Sequence, residues 1–320
     1  MKMTDLYTSV KKERDEKNKE ILISIFILTL SALISVFLSP YITKYTKDGL
    51  RLCSNTIIGS VFPFLILTDV IVGFARFDSI KCIRLLFEKI FNINGYAITA
   101  YAVGVICGFP LGVKVAVDLY KSGFISKDEC ERLIGFSNNT GPAFVVGGVG
   151  FGLRGSIKEG IILYTSMLAA SILTGFLIGL GKTCTSMRNE REYNTTYDFT
   201  ASVKNAAQNT LTICAFVVFF SVISGILSLV IKNEAIYSLL VSISEVSNAA
   251  KVLSRSAYPD YISLALTSFA ISFSGISVHA QARCFILGTG ISMRRYYTAK
   301  ILQGALAAVI TLIFTFLFQI

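Results

Sequence analysis

Gly108-Phe-Pro-Leu-Gly112, followed at once by Lys114 and Asp118, interrupts an otherwise apolar run and decides how the chain must be read. A second interruption, Phe273-Ser-Gly-Ile-Ser-Val-His-Ala-Gln281, holds the only histidine of the protein. Glycine and proline disrupt helical hydrogen bonding. Backbone freed in this way is tolerated at membrane depth only where protein or a water-filled cavity satisfies it. Interrupted hydrophobic segments in corresponding halves of a chain point to a transporter-like binding site near the bilayer midplane. A substrate pathway is therefore expected ahead of an enzyme.

Composition places those breaks in a membrane. Of 320 residues, 53% are hydrophobic and 16% charged, with a mean hydropathy of +0.64. An ordinary soluble domain carries about 25% charged residues. Crossing the hydrocarbon core takes about 20 predominantly apolar residues. Apolar runs at 21–38, 56–74, 95–111, 160–181, 211–231, 261–273 with its continuation, and 297–320 supply the candidate spans. The net charge of +10 is no nucleic-acid footprint, because the basic residues sit in loops rather than along one face. Residues 1–20 carry six Lys/Arg against five acids, and 182–204 carries four Lys/Arg. The positive-inside rule then puts the N-terminus in the cytoplasm of a multi-pass cell-membrane protein. The run 21–38 ends in Leu-Ser-Pro40 without a small-residue cleavage site, and reads as a retained span. Seven cysteines are scattered singly with no CxxC pair, and read as small buried hydrophobes rather than a zinc site.

The expected fold is all-α and polytopic, with about eight transmembrane helices, some broken or re-entrant, in two related halves. A cytoplasmic arm (1–20) precedes a first membrane half (21–181), a polar loop (182–204) and a second membrane half (205–320). Each half has an early span, then a helix with one acid, Asp69 or Glu245, then a broken segment. Each then has a Gly-Ile-Ser type turn, at 123–126 and at 290–292. Gly123 suits a helix C-cap, Ser126 with Glu129 makes a capping box, and Ser292 can cap the last helix. A third break is expected at Asn138-Asn-Thr-Gly-Pro142, where the turn residues and proline end a helix over 127–137. The glycine-rich stretch 143–152 is too short to span and reads as the second limb of a re-entrant hairpin. Residues 81–91, with Arg84 and Glu88 on one face, read as an interfacial helix.

Candidate site residues follow from the cost of polar groups in hydrocarbon. Asp69 and Glu245 suit proton or cation coupling or a ligand hydrogen bond; otherwise they form satisfied structural pairs, such as Glu245 with Lys251. Lys114 and Asp118 lie four apart on one face, as do His279 and Arg283. The first pair suits a neutralising salt bridge or ligand contact, and His279 a packed polar group or a proton relay. Gly108, Pro110 and Gly112 form the first break, and Asn138, Asn139, Thr140, Gly141 and Pro142 the next. Ser274, Gly275, Ser277 and Gln281 form the last. Amides and hydroxyls on unwound backbone suit an uncharged polar ligand such as a nucleobase or sugar. Half-helix N-termini add a preference for an anionic group.

No GxxxxGK[ST], G-x-S-x-G or H-E-x-x-H motif occurs, so neither ATP-driven transport by this chain alone nor those hydrolase chemistries is indicated. An intramembrane hydrolase would have to pair His279 with a serine. No metal and no cofactor are expected. The expected partners are the lipid bilayer, a small polar solute and a coupling cation, with no nucleic acid. A homo-oligomer is compatible with the sequence, although no G-x-x-x-G face stands out as reserved for it.

Several motifs resemble those of the sporulation integral membrane protein YlbJ family. They are Gly108-Phe-Pro-Leu-Gly112-Val-Lys114, Ser126-Lys-Asp-Glu-Cys-Glu-Arg-Leu133 and Phe136-Ser-Asn-Asn-Thr-Gly-Pro142, then Glu245-Val-Ser247-Asn248 and Phe273–Gln281. The resemblance covers roughly residues 56–320, and 108–142 is its most specific block. Two positions depart from the family pattern: Ala249 stands in place of a glycine, and Ser274-Gly275 in place of Gly-Gly. That family belongs to the nucleoside-recognition (Gate domain) membrane proteins. The resemblance implies a polytopic protein of endospore-forming bacteria, acting in sporulation, with a fold similar to nucleoside transporters. It adds Ser247 and Asn248 to the candidate site. Two functional readings follow: a secondary carrier for a small polar, nucleoside-like solute, or a non-transporting membrane scaffold or regulator of spore-envelope (cortex) assembly.

Overall fold

The computed structural model describes residues 39–59, 81–184 and 198–318, with scattered positions in 22–38 and 62–67. Asp69 lies outside the described residues. Described positions from 22 to 37 are helical. Helix α1 (Ser39–Leu52) tolerates Pro40 in its first turn, where no backbone N–H is needed, and widens into a π-turn at Cys53–Ile57. The short helix α2 (Lys81–Phe91) turns Phe87 and Phe91 inward. After a 3₁₀ turn at Gly95–Ala97 come three short helices, α3 (Ile98–Ile106), α4 (Leu111–Lys121) and α5 (Lys127–Ser137).

A π-helical segment, Ala143–Leu153, follows and packs on α6 (Ile157–Gly179). The contact depends on paired glycines, because a Cβ on Gly150 would lie 2.4 Å from the Gly160 Cα. Helix α7 (Phe199–Val230) lies along α1. The chain continues through α8 (Glu234–Ser244), α9 (Val246–Leu253), α10 (Asp260–Phe273), α11 (Gly275–Ile286) and α12 (Arg294–Leu317). Helix α12 packs along both α10 and α6.

All described elements are helical. Among the described residues, four helical stretches are long and apolar enough to cross a membrane: α6, α7, the α10–α11 stretch and α12. Their outer faces carry exposed apolar side chains, such as Ile172, Leu173 and Phe176 on α6 and Val309, Ile313 and Phe316 on α12. Such a face suits lipid rather than water.

The sequence-based spans change in detail. The run 95–111 becomes a turn and a nine-residue helix, too short to cross, because Gly108 and Pro110 end it. The run 211–231 is the distal part of a 32-residue helix that starts at Phe199, so 199–204 belong to α7 rather than to the polar loop. The capping box at Ser126–Glu129 is present, and Gly123 holds φ +76° at the end of α4. Ser292 sits one position before the N-cap, Met293, and its hydroxyl accepts from the Arg294 N–H.

Candidate functional site

Gly104, Gly108 and Gly112 recur every four residues, and their bare backbones set the first break against the second. A Cβ on Gly104 would fall 1.7 Å from the Ser137 carbonyl oxygen, and one on Gly112 would fall 2.0 Å from the same atom. Gly108, at φ +87°, faces the backbone nitrogen of Gly141 at 2.7 Å from its ideal Cβ position. The G-x-x-x-G spacing is therefore present, and it is used inside the chain to let backbones touch.

The second break is anchored by α12. Helix α5 ends at Ser137, which leaves carbonyls without intrahelical partners and a negative dipole end. Lys300, fully buried, donates from Nζ to the Asn138 carbonyl at 2.7 Å and to Gln303 Oε1 at 2.9 Å. Gln303 Nε2 donates to Asn139 Oδ1 at 2.8 Å, and Asn138 Nδ2 donates to the Tyr296 hydroxyl at 2.8 Å. Tyr296, Lys300 and Gln303 are spaced four and three apart, so one face of α12 supplies all three. Thr140 Oγ1 donates to the Ile271 carbonyl at 2.9 Å, which ties this break to the end of α10.

Glu245 lies in a fourth break rather than inside a helix, which corrects the expectation of a helix carrying it. Its backbone is extended (φ −153°, ψ 128°) between α8 and α9. The carboxylate caps α9, with Oε1 accepting from the Ser247 N–H at 2.9 Å and Oε2 from the Asn248 N–H at 2.7 Å. The expected pairing with Lys251 does not form, because that residue is exposed at the far end of the same helix. Ser274 and Gly275 both take left-handed φ, 74° and 72°, and the Gly275 backbone packs against Ser244 and Glu245.

These breaks meet. A cavity of about 60 Å³ is lined by Cys107, Gly108, Phe109, Thr140, Gly141, Glu245, Ser247 and Gln281, with Ile213 and Val217 of α7 completing the wall. Two further cavities adjoin it. A vestibule of about 500 Å³ shares Phe144 and Ser247 with it and adds Tyr45, Asp48, Ser221, Ser224, Glu234, Lys251 and Arg255. On the other side a cavity of about 120 Å³ shares Ile213 and Gln281, and adds Pro110, Asn209 and Thr212. Helix α7 lines all three in order: Asn209 and Thr212, then Ile213 and Val217, then Ser221 to Ser228. At 1.5 Å per residue, positions 209 to 228 span about 28 Å, close to the ~30 Å hydrocarbon core.

The remaining sequence-predicted residues divide clearly. Asn138 and Asn139 are buried and bonded to α12 and α6 rather than lining the cavity, with Asn139 Nδ2 also reaching the Phe136 carbonyl. Asn248 lines the vestibule, where its Nδ2 donates to Ser221 Oγ. Pro110 lines the smaller outer cavity. Ser277 accepts from Gln281 Nε2 at 3.4 Å, and Ser274 Oγ donates to the Ile271 carbonyl. His279 Nε2 lies 2.8 Å from the Phe273 carbonyl, and its ring sits edge-on to Phe273 and Tyr296, so it stitches the last break closed. Arg283, one turn on, is exposed. Lys114 and Asp118 are half-buried and line none of the three cavities. Lys300 and Gln303 escaped the sequence reading. The available signal was a lysine in the first turn of the apolar run 297–320.

Spanning helices, lipid-suited outer faces and buried helix breaks define a multi-pass α-helical integral membrane protein. The chain is 25% identical over 345 aligned residues to the sporulation integral membrane protein YlbJ of Bacillus subtilis (strain 168), covering 93% of this chain and 83% of that protein. That similarity supports a relationship to the YlbJ family. No family model and no solved structure matches the chain.

Proposed function

We propose that this protein is a secondary carrier for a small polar solute, acting in the membrane during sporulation. The observation that carries the reading is the row of three cavities along α7, whose central member is walled by helix breaks. The breaks place backbone polar groups where a solute would otherwise meet hydrocarbon. The vestibule, at about 500 Å³, matches the size of small-molecule sites, roughly 300–1,000 Å³. Its hydroxyls and amide, from Tyr45, Tyr237, Ser221, Ser224 and Asn248, suit a hydroxylated, nucleoside-like solute. The central cavity is far below that size, so passage requires the walls to part, and Phe144, shared by vestibule and cavity, is the bulky side chain that has to move. The order of breaks and capped turns in the two halves also supports a Gate-type arrangement of about eight spans in related halves. The sporulation role comes from the name of the Bacillus subtilis relative.

The test is uptake into liposomes carrying the purified protein. Nucleosides and other hydroxylated solutes are expected to enter, and Glu245→Gln is expected to abolish entry while the protein remains folded. A well-folded protein that moves nothing across a broad panel refutes the carrier reading; Glu245→Gln with full uptake removes Glu245 from the mechanism.

A further inference from the structure

We propose that the central cavity is a binding site for a monovalent alkali cation, held between the Glu245 carboxylate and the amide oxygen of Gln281. The inference deepens the carrier reading by locating the coupling ion, and rests on that reading only for its role in transport. Glu245 is 1% exposed, and among the described residues it has no cationic partner within ion-pair distance. The N-terminus of α9 offsets part of its charge, equivalent to about half an elementary charge. A buried carboxylate left with the remainder is costly and calls for a neutralising partner.

Gln281 gives the independent indication. It is 2% exposed and reaches the wall of both the central and the smaller outer cavity. Its Nε2 is engaged by Ser277, whereas its Oε1 has no hydrogen-bond partner. A buried amide oxygen without a donor is an acceptor awaiting a cation or a proton donor. Thr140 and Ser247 also line the cavity.

Size and charge choose the ion. About 60 Å³ holds a partly dehydrated alkali ion with a water, and is too small for an organic solute. One carboxylate among neutral oxygens suits a single positive charge, because calcium takes six to eight oxygen ligands, with carboxylates prominent among them. Among the described residues no group of three His, Cys, Asp or Glu side chains could hold a metal.

Binding of radioactive sodium, and of radioactive rubidium as a potassium surrogate, to the purified full-length protein in detergent tests the site directly, with choline chloride keeping ionic strength fixed. Saturable binding of one of the two ions is expected, at about one per chain. Glu245→Gln and, separately, Gln281→Leu should each weaken it by roughly tenfold or more, the equivalent of one contact to a charged group. Size-exclusion profiles and unfolding in choline check that each variant is folded; Gln281→Leu leaves the α9 cap untouched. Absence of saturable binding by the wild-type protein overturns the proposal, as does unchanged affinity in both folded variants. Stability that follows pH but neither ion also overturns it, because a proton then neutralises Glu245. Solute uptake that persists in choline alone, without ion binding, sinks the cation site and leaves the carrier standing. Ion binding without movement of any solute does the reverse.

Discussion

Gly104→Ala is the sharpest test of how the broken helices are held. The new Cβ would lie 1.7 Å from the Ser137 carbonyl oxygen and 3.2 Å from the Gly112 Cα. Both are backbone atoms, so no rotamer change relieves the clash. Real Cβ atoms essentially never come within 3.0 Å, so the end of α5 has to retreat by at least 1.3 Å. Overpacking of this kind costs about 1–3 kcal/mol, sometimes more, against a gain of under about 1 kcal/mol for alanine in a helix. A net loss of about 2 kcal/mol is expected, or roughly 4–8 °C in thermal midpoint by the scaling for domains of 150–250 residues. Gly112→Ala meets the same oxygen at 2.0 Å and should cost a similar amount. Because one displacement of Ser137 relieves both clashes, the double variant should lose clearly less than the sum. Gly147→Ala, with nothing within 4 Å, is the control and should be near neutral. Thermal unfolding in detergent, followed by circular dichroism, reads all four. A Gly104→Ala protein within about 0.5 kcal/mol of wild type, the range of an ordinary surface substitution, would refute the backbone-to-backbone packing.

The Lys300 anchor predicts that Lys300→Ala strands two buried acceptors and leaves a void, costing about 3–5 kcal/mol in chemical unfolding. Lys300→Met keeps the volume and should cost clearly less, the remainder being the two stranded acceptors; a near-neutral Lys300→Met would show that the hydrogen bonds do not matter. At the surface, burial tends to raise the Asp128 carboxyl, but the hydrogen bond and charge from Arg295, with the charge of Arg132, outweigh it and hold it below its ordinary value. Its contribution is therefore full above about pH 4, the unfolded value, and is lost as pH falls through the depressed native value. Being half exposed, it is worth under about 1 kcal/mol. Asp128→Asn should flatten the acid limb of the stability profile by that amount, and an unchanged limb would dismiss the pairing. Ser126→Ala removes the capping-box hydroxyl and should cost about 1 kcal/mol. Glu129→Ala should cost more, because the carboxylate also accepts from the buried Asn94 N–H at 2.9 Å; a smaller loss than Ser126→Ala would contradict that second role.

Much of the architecture was legible because its causes are local. Clustered glycine, proline and turn-forming residues weaken a helix through their own backbone chemistry, so Gly108–Gly112, Asn138–Pro142 and Ser274–Gly275 could be marked as breaks from residue type alone. The capping box at Ser126 and Glu129 has a fixed spacing, and it forms as that spacing predicts. Apolar run length identified α6 and α12 to within a few residues. Glu245 shows the limit. Its neighbours Ile243 and Val246 suit a continuous helix, and only packing against the Gly275 backbone accompanies the opening of the chain there.

The candidate site was legible as a set of residues but not as a set of roles. Thr140, Gly141, Glu245, Ser247 and Gln281 share one cavity, whereas Asn138, Asn139 and His279 hold the breaks in place. Both groups have the same amide, hydroxyl and imidazole chemistry, and nothing local tells a wall from a brace. Which way a side chain faces depends on what lies across from it, and here that is Tyr296, Lys300 and Gln303, more than 150 residues further along the chain. The sequence by itself determined that the chain is helical, apolar and broken at definite points, because propensity and hydropathy act over a few residues. The tertiary structure alone decided that four breaks converge, that α7 lines a row of cavities, and that Lys300 anchors the second break. Those outcomes depend on long-range packing, where a buried polar group takes whichever partner the fold brings within reach.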